Sequence, residues 1–184
     1  SPAELSYCEK YSVPLPTTCP TERLKELLVF RNRTNLYNTV CAYSKKPILT
    51  GLDPEAKLVT YDAEIWESDK WDALQYGRDY DFSRPFFAQF RELMSVVPHP
   101  NLAVIRSTME NSDWTNGITS AKNCYLLFGA SFNEDCMFSK YLVNCKNVVD
   151  SNILTACELC YECTNCVNCY DLRCSDYCYS CSDS

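Results

Sequence analysis

The chain has 184 residues and a mass of 21.1 kDa, and with 46% hydrophobic and 13% aromatic residues it is too apolar for a disordered chain. Its net charge of −7 and pI near 4.7 weigh against a nucleic-acid partner, because phosphate neutralisation needs a clustered basic surface. No run of 18 apolar residues is present to span a membrane.

Charge is unevenly spread, +3 over residues 1–50, −6 over 51–120 and −4 over 121–184. The one basic grouping, Arg23, Lys25, Arg31 and Arg33 with Lys45 and Lys46, reads as a solvated face. The chain begins SPAEL, as expected where a leader has been removed or the sequence is part of a longer one.

The segment "CPTERLKELLVFRNRTNLY" predicts a helix capped by Thr21, with Glu22 and Glu26 early and Leu24, Leu27 and Leu28 as its buried stripe. "CAYSKKPILTGL" and "KLVTYDAEIW" alternate apolar and polar residues around Pro and Gly, which predicts short strands in a small hairpin layer. "WESDKWDALQYGRDYDF" has no clean period and reads as irregular backbone pinned by its aromatics. In "SRPFFAQFRELMSVV", Ser83 is the expected cap, and Phe86, Phe87, Phe90, Leu93, Met94 and Val97 share one helix face that "PHP" then ends.

From about Asn111 the chain changes character, and eleven of its fourteen cysteines lie between Cys124 and Cys181. Similar phrases centre on residues 124, 136, 148, 160, 169 and 178, so every step is 12 or 9, a multiple of three. That spacing predicts a narrow parallel β-solenoid with sides about three residues long and one residue per side turned toward the axis. The expected cross-section is triangular. Cysteine suits so thin a core because it is small and apolar, and the intervening Asn, Asp and Ser suit the corners. The period is similar to that of the three-sided coils of insect antifreeze proteins, but their Thr-x-Thr rows are missing here.

Three chemistries fit the cysteines. They are free thiols that fill space, as Val148 at a cysteine position allows, or disulfides in an oxidising compartment, or thiolate ligands. In the last case Cys157, Cys160, Cys163, Cys166 and Cys169, overlapping Cys-x-x-Cys pairs, are the candidate metal residues, and zinc is the ion four of them would hold. Five evenly spaced cysteines do not form the two separated knuckles of a ribbon site.

"YSVPLPTTCPTER", "VCAYSKKPI", "WESDKWDALQYGRDYDFSRPFFAQFRELM", "ENSDWTN" and "KNCYLLFG" together resemble uncharacterised proteins of environmental bacteria and large DNA viruses, which join a zinc-ribbon front to a cysteine-rich repeat region. The resemblance implies paired cysteines where this chain has Glu22, Ser44, Asp62 and Ile65. The front is therefore expected to be a degenerate zinc ribbon that persists on packing, with Cys8, Cys19 and Cys41 as the remaining candidate ligands.

Catalytic devices are scarce. His99, the sole histidine, sits between two prolines, and no phosphate loop or nucleophile elbow is present. Asp79 and Asp81 beside Arg78 and Arg84 could make a glycosidase-like pair. The plainer reading has the arginines pair with the aspartates and tie the loop to the helix cap.

The expectation is thus a mainly β protein with α: a small α+β region with degenerate zinc-ribbon-like motifs over 1–66, an aromatic segment and capping helix over 67–110, and solenoid repeats over 111–184. The expected role is non-catalytic, structural or interaction-based, with the Phe-rich helix covering one solenoid end. Because "CYSCSDS" stops within the repeat, further repeats or another chain, a second copy included, are expected to stack there, as in a virion or surface layer. No cofactor is expected apart from zinc, and a zinc-binding module and a carbohydrate-active enzyme are the rival classes.

Overall fold

The computed structural model describes residues 1–28 and 34–183. It divides into two units, Ser1–Asn32 and Arg33–Ser184. Arg31, Arg33 and the side chain of Leu28 fall outside the described residues.

The first unit holds two helices, α1 (Pro2–Tyr11) and α2 (Pro20–Leu28). Helix α1 starts on a capping box, in which the Ser1 hydroxyl accepts from the Glu4 N–H and the Glu4 side chain reaches back to the Ser1 backbone. Ser12, in the left-handed region at φ 52°, ends it. Arg23 of α2 pairs with Glu4 and Lys25 with Glu22, so both basic side chains already have carboxylate partners. Helix α2 begins at Pro20, which puts Thr21 inside the first turn and not at the cap, and Leu24 and Leu27 are exposed instead of buried.

In the second unit, β1 (Tyr37–Val40) pairs antiparallel with β2 (Pro47–Thr50), Tyr37 opposite Thr50 and Val40 opposite Pro47. The hairpin expected from residue 41 onward therefore starts earlier, and 41–46 is its turn, with Lys45 at φ 59°. Within 57–66 the strand content is the two-residue β3 (Thr60–Tyr61), followed by one helical turn, α3 (Ala63–Trp66). Asp62 causes the switch by accepting from the Glu64 N–H, an N-cap that stops the strand.

Strand β3 pairs in parallel with β4 (His99–Pro100), and next to it Asn101 joins four segments. The Asn101 N–H donates to Tyr61, its carbonyl accepts from Gly51 and from the Thr50 hydroxyl, its amide donates to Leu49 and its side-chain oxygen accepts from Ala63. The aromatic segment is irregular apart from a short turn at Ala73–Tyr76, and Trp71 sits among Tyr61, Trp66 and Tyr76.

Helix α4 (Phe86–Val96) follows with no buried residue. Its expected cap is absent: Pro85 occupies the N-cap, while Ser83 is held by Asp81 in the preceding turn. Nor does the helix cover a solenoid end by burying its rings, because Phe86, Phe87 and Phe90 are all exposed.

The rest is a parallel β-solenoid of about five turns from residue 109 to 167. Single bridges carry the register on to Tyr170↔Ser182. From residue 109 on, every pairing joins residues 12 apart, such as Lys146↔Glu158 and Asn152↔Thr164, apart from the bridge of Ile118 back to Val104. Every third residue from Asn123 to Asp183 has a positive φ near 50–60°, Gly129 included. A 12-residue turn thus has four left-handed corners, and the cross-section is four-sided where a triangle was expected.

The apparent nine-residue steps dissolve in the same way. Cys169 is three corners beyond Cys160 on the same turn, and Cys178 lies on the next. All inward positions look alike in sequence, so phrases matched from one corner to another give any multiple of three. Among the described residues no helix is long and apolar enough to cross a membrane.

Candidate functional site: the thiol ladder of the solenoid shaft

Each side of a turn has three positions: a left-handed corner, an inward residue and an outward residue. The outward N–H donates to a carbonyl on the following turn, as Lys146 does to Cys157 and Glu158 to Cys169. The corner N–H donates to the preceding turn, as Ala156 does to Val143 and Glu162 to Val149. That leaves the N–H of the inward residue, which lies inside the shaft where an unpaired donor is costly.

The side chain one turn earlier takes that N–H. Ser112 accepts from Cys124 at 2.9 Å, Asn133 from Cys145 at 2.9 Å, Ser139 from Ser151 at 3.0 Å and Ser151 from Cys163 at 3.1 Å. Sulfur does the same elsewhere: Cys124 receives the N–H of Cys136, Cys136 that of Val148, Cys145 that of Cys157, Cys157 that of Cys169, Cys160 that of Leu172 and Cys166 that of Cys178.

The same groups also donate. Cys145 Sγ lies 3.4 Å from the Val143 carbonyl and 3.6 Å from that of Leu154, and Cys163 lies 3.3 Å from Tyr161 and 3.5 Å from Leu172. The Ser139 and Ser151 hydroxyls donate to the carbonyl two residues back at 2.8 and 2.9 Å. Cysteine is therefore a core residue that also serves as acceptor and donor, which Val or Ala is not.

The five cysteines expected as metal ligands lie in this ladder. Cys157 is on one turn, and Cys160, Cys163, Cys166 and Cys169 fill all four inward positions of the next. Each is 3% exposed or less, and each thiol donates to the carbonyl two residues before it. Among the described residues no group of three or more His, Cys, Asp or Glu side chains is placed to hold a metal ion.

Burial raises the pKa of several of these thiols. It pushes Cys145 up to about 11, Cys160 to about 12 and Cys166 to about 11. Cys124 goes the other way, to about 7, because the Cys136 thiol and then the Cys136 N–H favour its charged form against burial; Cys136, bonded to Cys124 and buried, is raised.

Outside, the stacked turns align charges and amides. Lys122 lies 4.0 Å from Glu110 and 3.8 Å from Glu134, and Lys146 lies 3.2 Å from Glu134. One corner column carries the chain Asn111 to Asn123 to Asp135, with side-chain bonds of 3.1 and 3.0 Å. Trp114, Tyr125 and Phe138 make an exposed aromatic edge with centroid separations of 6.1 and 5.7 Å.

In the front of the same unit, Cys41 is fully buried, and its sulfur accepts from the Ser44 N–H at 3.4 Å and the Asp62 N–H at 3.3 Å. Burial pushes its pKa up, but the Ser44 side chain and these N–H groups outweigh that and bring it below the usual thiol value. Cys8 and Cys19 belong to the first unit. Lys45 donates to the Ala42 carbonyl, and His99 Nε2 lies 2.8 Å from the Met94 carbonyl oxygen, as a donor.

Arg84 pairs with Glu92, not with the aspartates as expected, while Asp81 accepts from the Ser83 N–H and hydroxyl at 2.8 and 2.6 Å. Asp81, Arg84 and Glu92 line a cavity of about 210 Å³ with Arg78, Asp79, Tyr80 and Phe86. The sequence reading had missed the exposure of the neighbouring rings: Phe82 is 92% exposed and Phe87 80%. The chain matched no protein-family model, no curated protein and no solved structure.

Proposed function

We propose that this chain is a non-catalytic structural and protein-interaction module, in which the solenoid is a stiff post and the aromatic segment around α4 receives another protein chain. The observation that carries the reading is the exposure of Phe82, Phe86, Phe87 and Phe90 together with Tyr80, five rings in mutual contact. Contiguous apolar surface of this kind is the usual mark of an interaction site. Edge contacts at 4.8 Å for Tyr80 and Phe82 and 5.3 Å for Phe86 and Phe87 pre-order the rings, which lowers the entropic cost of docking.

The acid-base arrangement supports this reading over glycoside cleavage. That chemistry asks for one carboxylic acid with a raised pKa, whereas hydrogen bonds from Ser83 hold Asp81 low and hydrogen bonding from Arg84 holds Glu92 low. We read the front as zinc-ribbon-like, because the Cys41-to-Ser44 turn and the Asp62-to-Ile65 turn meet at one sulfur, with Ser44, Asp62 and Ile65 standing where partner ligands would be.

The test is sedimentation velocity over a concentration series, beside chemical cross-linking in the source cells, on the wild type and on Phe82→Ser/Phe87→Ser. The expected result is a wild-type complex, with itself or with another protein, that the double variant loses while its far-UV spectrum is unchanged. A chain that stays monomeric, and whose cross-linking is the same in both proteins, overturns the proposal.

A further inference from the structure

We propose that Cys166 and Cys178 are a disulfide site that staples two successive solenoid turns together when the chain meets a peroxide-class oxidant. The two residues occupy the same inward column one turn apart. The bridge Val167↔Tyr179, one residue beyond each, and the bridge Thr164↔Asp176, two residues before, fix their register. Adjacent strands lie about 4.8 Å apart, inside the roughly 4.4–6.8 Å Cα separation that a disulfide accepts.

The Cys178 N–H donates to the Cys166 sulfur, so the two residues are neighbours across successive turns. Access separates this pair from the inner stacks, because Cys145, Cys157 and Cys169 are at most 3% exposed whereas Cys178 is only half-buried; Cys169 with the half-buried Cys181 shares that access and is the competing pair that the test tells apart. Cys174, the exposed thiol of that turn, sits at an outer corner and donates to Glu162.

The chemistry balances with hydrogen peroxide. The Cys178 sulfur attacks one peroxide oxygen, the O–O bond breaks, and one water leaves with Cys178 as a sulfenic acid. The Cys166 sulfur then attacks the sulfenic sulfur, the S–O bond breaks, and a second water leaves. Two thiols lose two protons and two electrons, and the peroxide takes them up. The native structure loses little: Cys166 gives up its bond to the Thr164 carbonyl at 3.2 Å, but that oxygen keeps the Tyr177 N–H at 3.1 Å.

The test uses the full chain with Cys19→Ser and Cys174→Ser, which removes the two exposed thiols. The reduced protein is dosed with hydrogen peroxide, blocked with N-ethylmaleimide and digested with trypsin, which cuts after Arg173 between the two cysteines. The expected result is a loss of two titratable thiols, and a linked pair of peptides two hydrogens lighter than their sum whose fragmentation places the bond at Cys166 and Cys178. Cys178→Ser and, separately, Cys166→Ser should each restore the full titre while keeping the far-UV spectrum, because serine already stands at inward positions 139, 151 and 175. An undiminished titre, oxidation to sulfinic acid without a link, or a bond placed at Cys181 or Cys169 overturns the proposal.

Discussion

If the inward cysteines act as hydrogen-bonding rungs, substitutions at Cys145 should rank by what they offer the Cys157 N–H and not by how apolar they are. Cys145 is 2% exposed; its sulfur accepts that N–H and reaches the carbonyls of Val143 and Leu154. Cys145→Ser keeps an acceptor and a donor in nearly the same volume and should cost about 1 kcal/mol or less. Cys145→Ala leaves the N–H buried and unpaired, which costs about 1–3 kcal/mol, and removal of the sulfur adds about 1 kcal/mol of lost burial. Cys145→Val restores volume but not the acceptor and should cost about 1–3 kcal/mol. Urea unfolding followed by circular dichroism under reductant measures each midpoint. The expected order is wild type, Ser, Val, Ala. A Val variant equal to or above wild type with Ser the least stable would mean that the thiols only fill space, and the ladder reasoning would be wrong.

Three further outcomes follow from particular contacts. The raised pKa of Cys145, from 9.0 to about 11, keeps its proton on in the folded state; the unfolded chain then releases protons first, so stability holds below about pH 9 and falls by up to about 3 kcal/mol toward pH 11, at about 1.4 kcal/mol per tenfold change. Unfolding midpoints measured from pH 8 to pH 11 check this, and a flat profile contradicts it. Gly51→Ala would put a Cβ 2.5 Å from the Asn116 amide nitrogen, displacing a side chain whose oxygen accepts from the Ala103 N–H at 2.8 Å, so a loss of about 1–3 kcal/mol is expected in thermal unfolding. Ile153, β-branched and 48% exposed, holds φ 57°, so Ile153→Asn should raise the thermal midpoint by relieving about 1 kcal/mol of strain despite removing an apolar side chain.

The solenoid was legible because its signal is periodic: one inward residue in three, with polar residues at many corners, survives any local noise. The number of sides was not legible, since corners also carry Leu126, Phe138, Tyr141 and Ile153, and no residue type marks which corner completes a turn. Helix α1 had a readable signal, the capping box Ser1-Pro-Ala-Glu4, but its single buried residue, Cys8, gives no apolar stripe to accompany it. The Phe-rich face of α4 was legible as amphipathic, yet amphipathicity says only that a face is apolar and not that this chain covers it. The thiol ladder was hidden for a different reason. It depends on where the backbone N–H groups point, and that follows from the left-handed corners, which a list of residue types does not reveal.

What makes twelve the period, when nine or fifteen would keep every inward residue inside? The shaft alone cannot decide: between Cys157 and Cys169 each inward position is a cysteine, and a slip of three residues would stack thiol on thiol just as well. The earlier turns can decide, because their columns are not interchangeable. Glu110, Lys122, Glu134 and Lys146 alternate in sign only at a spacing of 12, and the side chains of Asn111, Asn123 and Asp135 bond one another only at that spacing. Each four-cornered turn also carries left-handed strain of about 1–2 kcal/mol per non-glycine corner, which is offset only when the next turn takes up its outward N–H groups, and the preceding turn its corner and inward N–H groups, in register. Register is therefore set where the outer columns are specific and handed along the ladder to the uniform cysteine turns, which is how nearest-neighbour stacking lets a chemically monotonous segment adopt one structure.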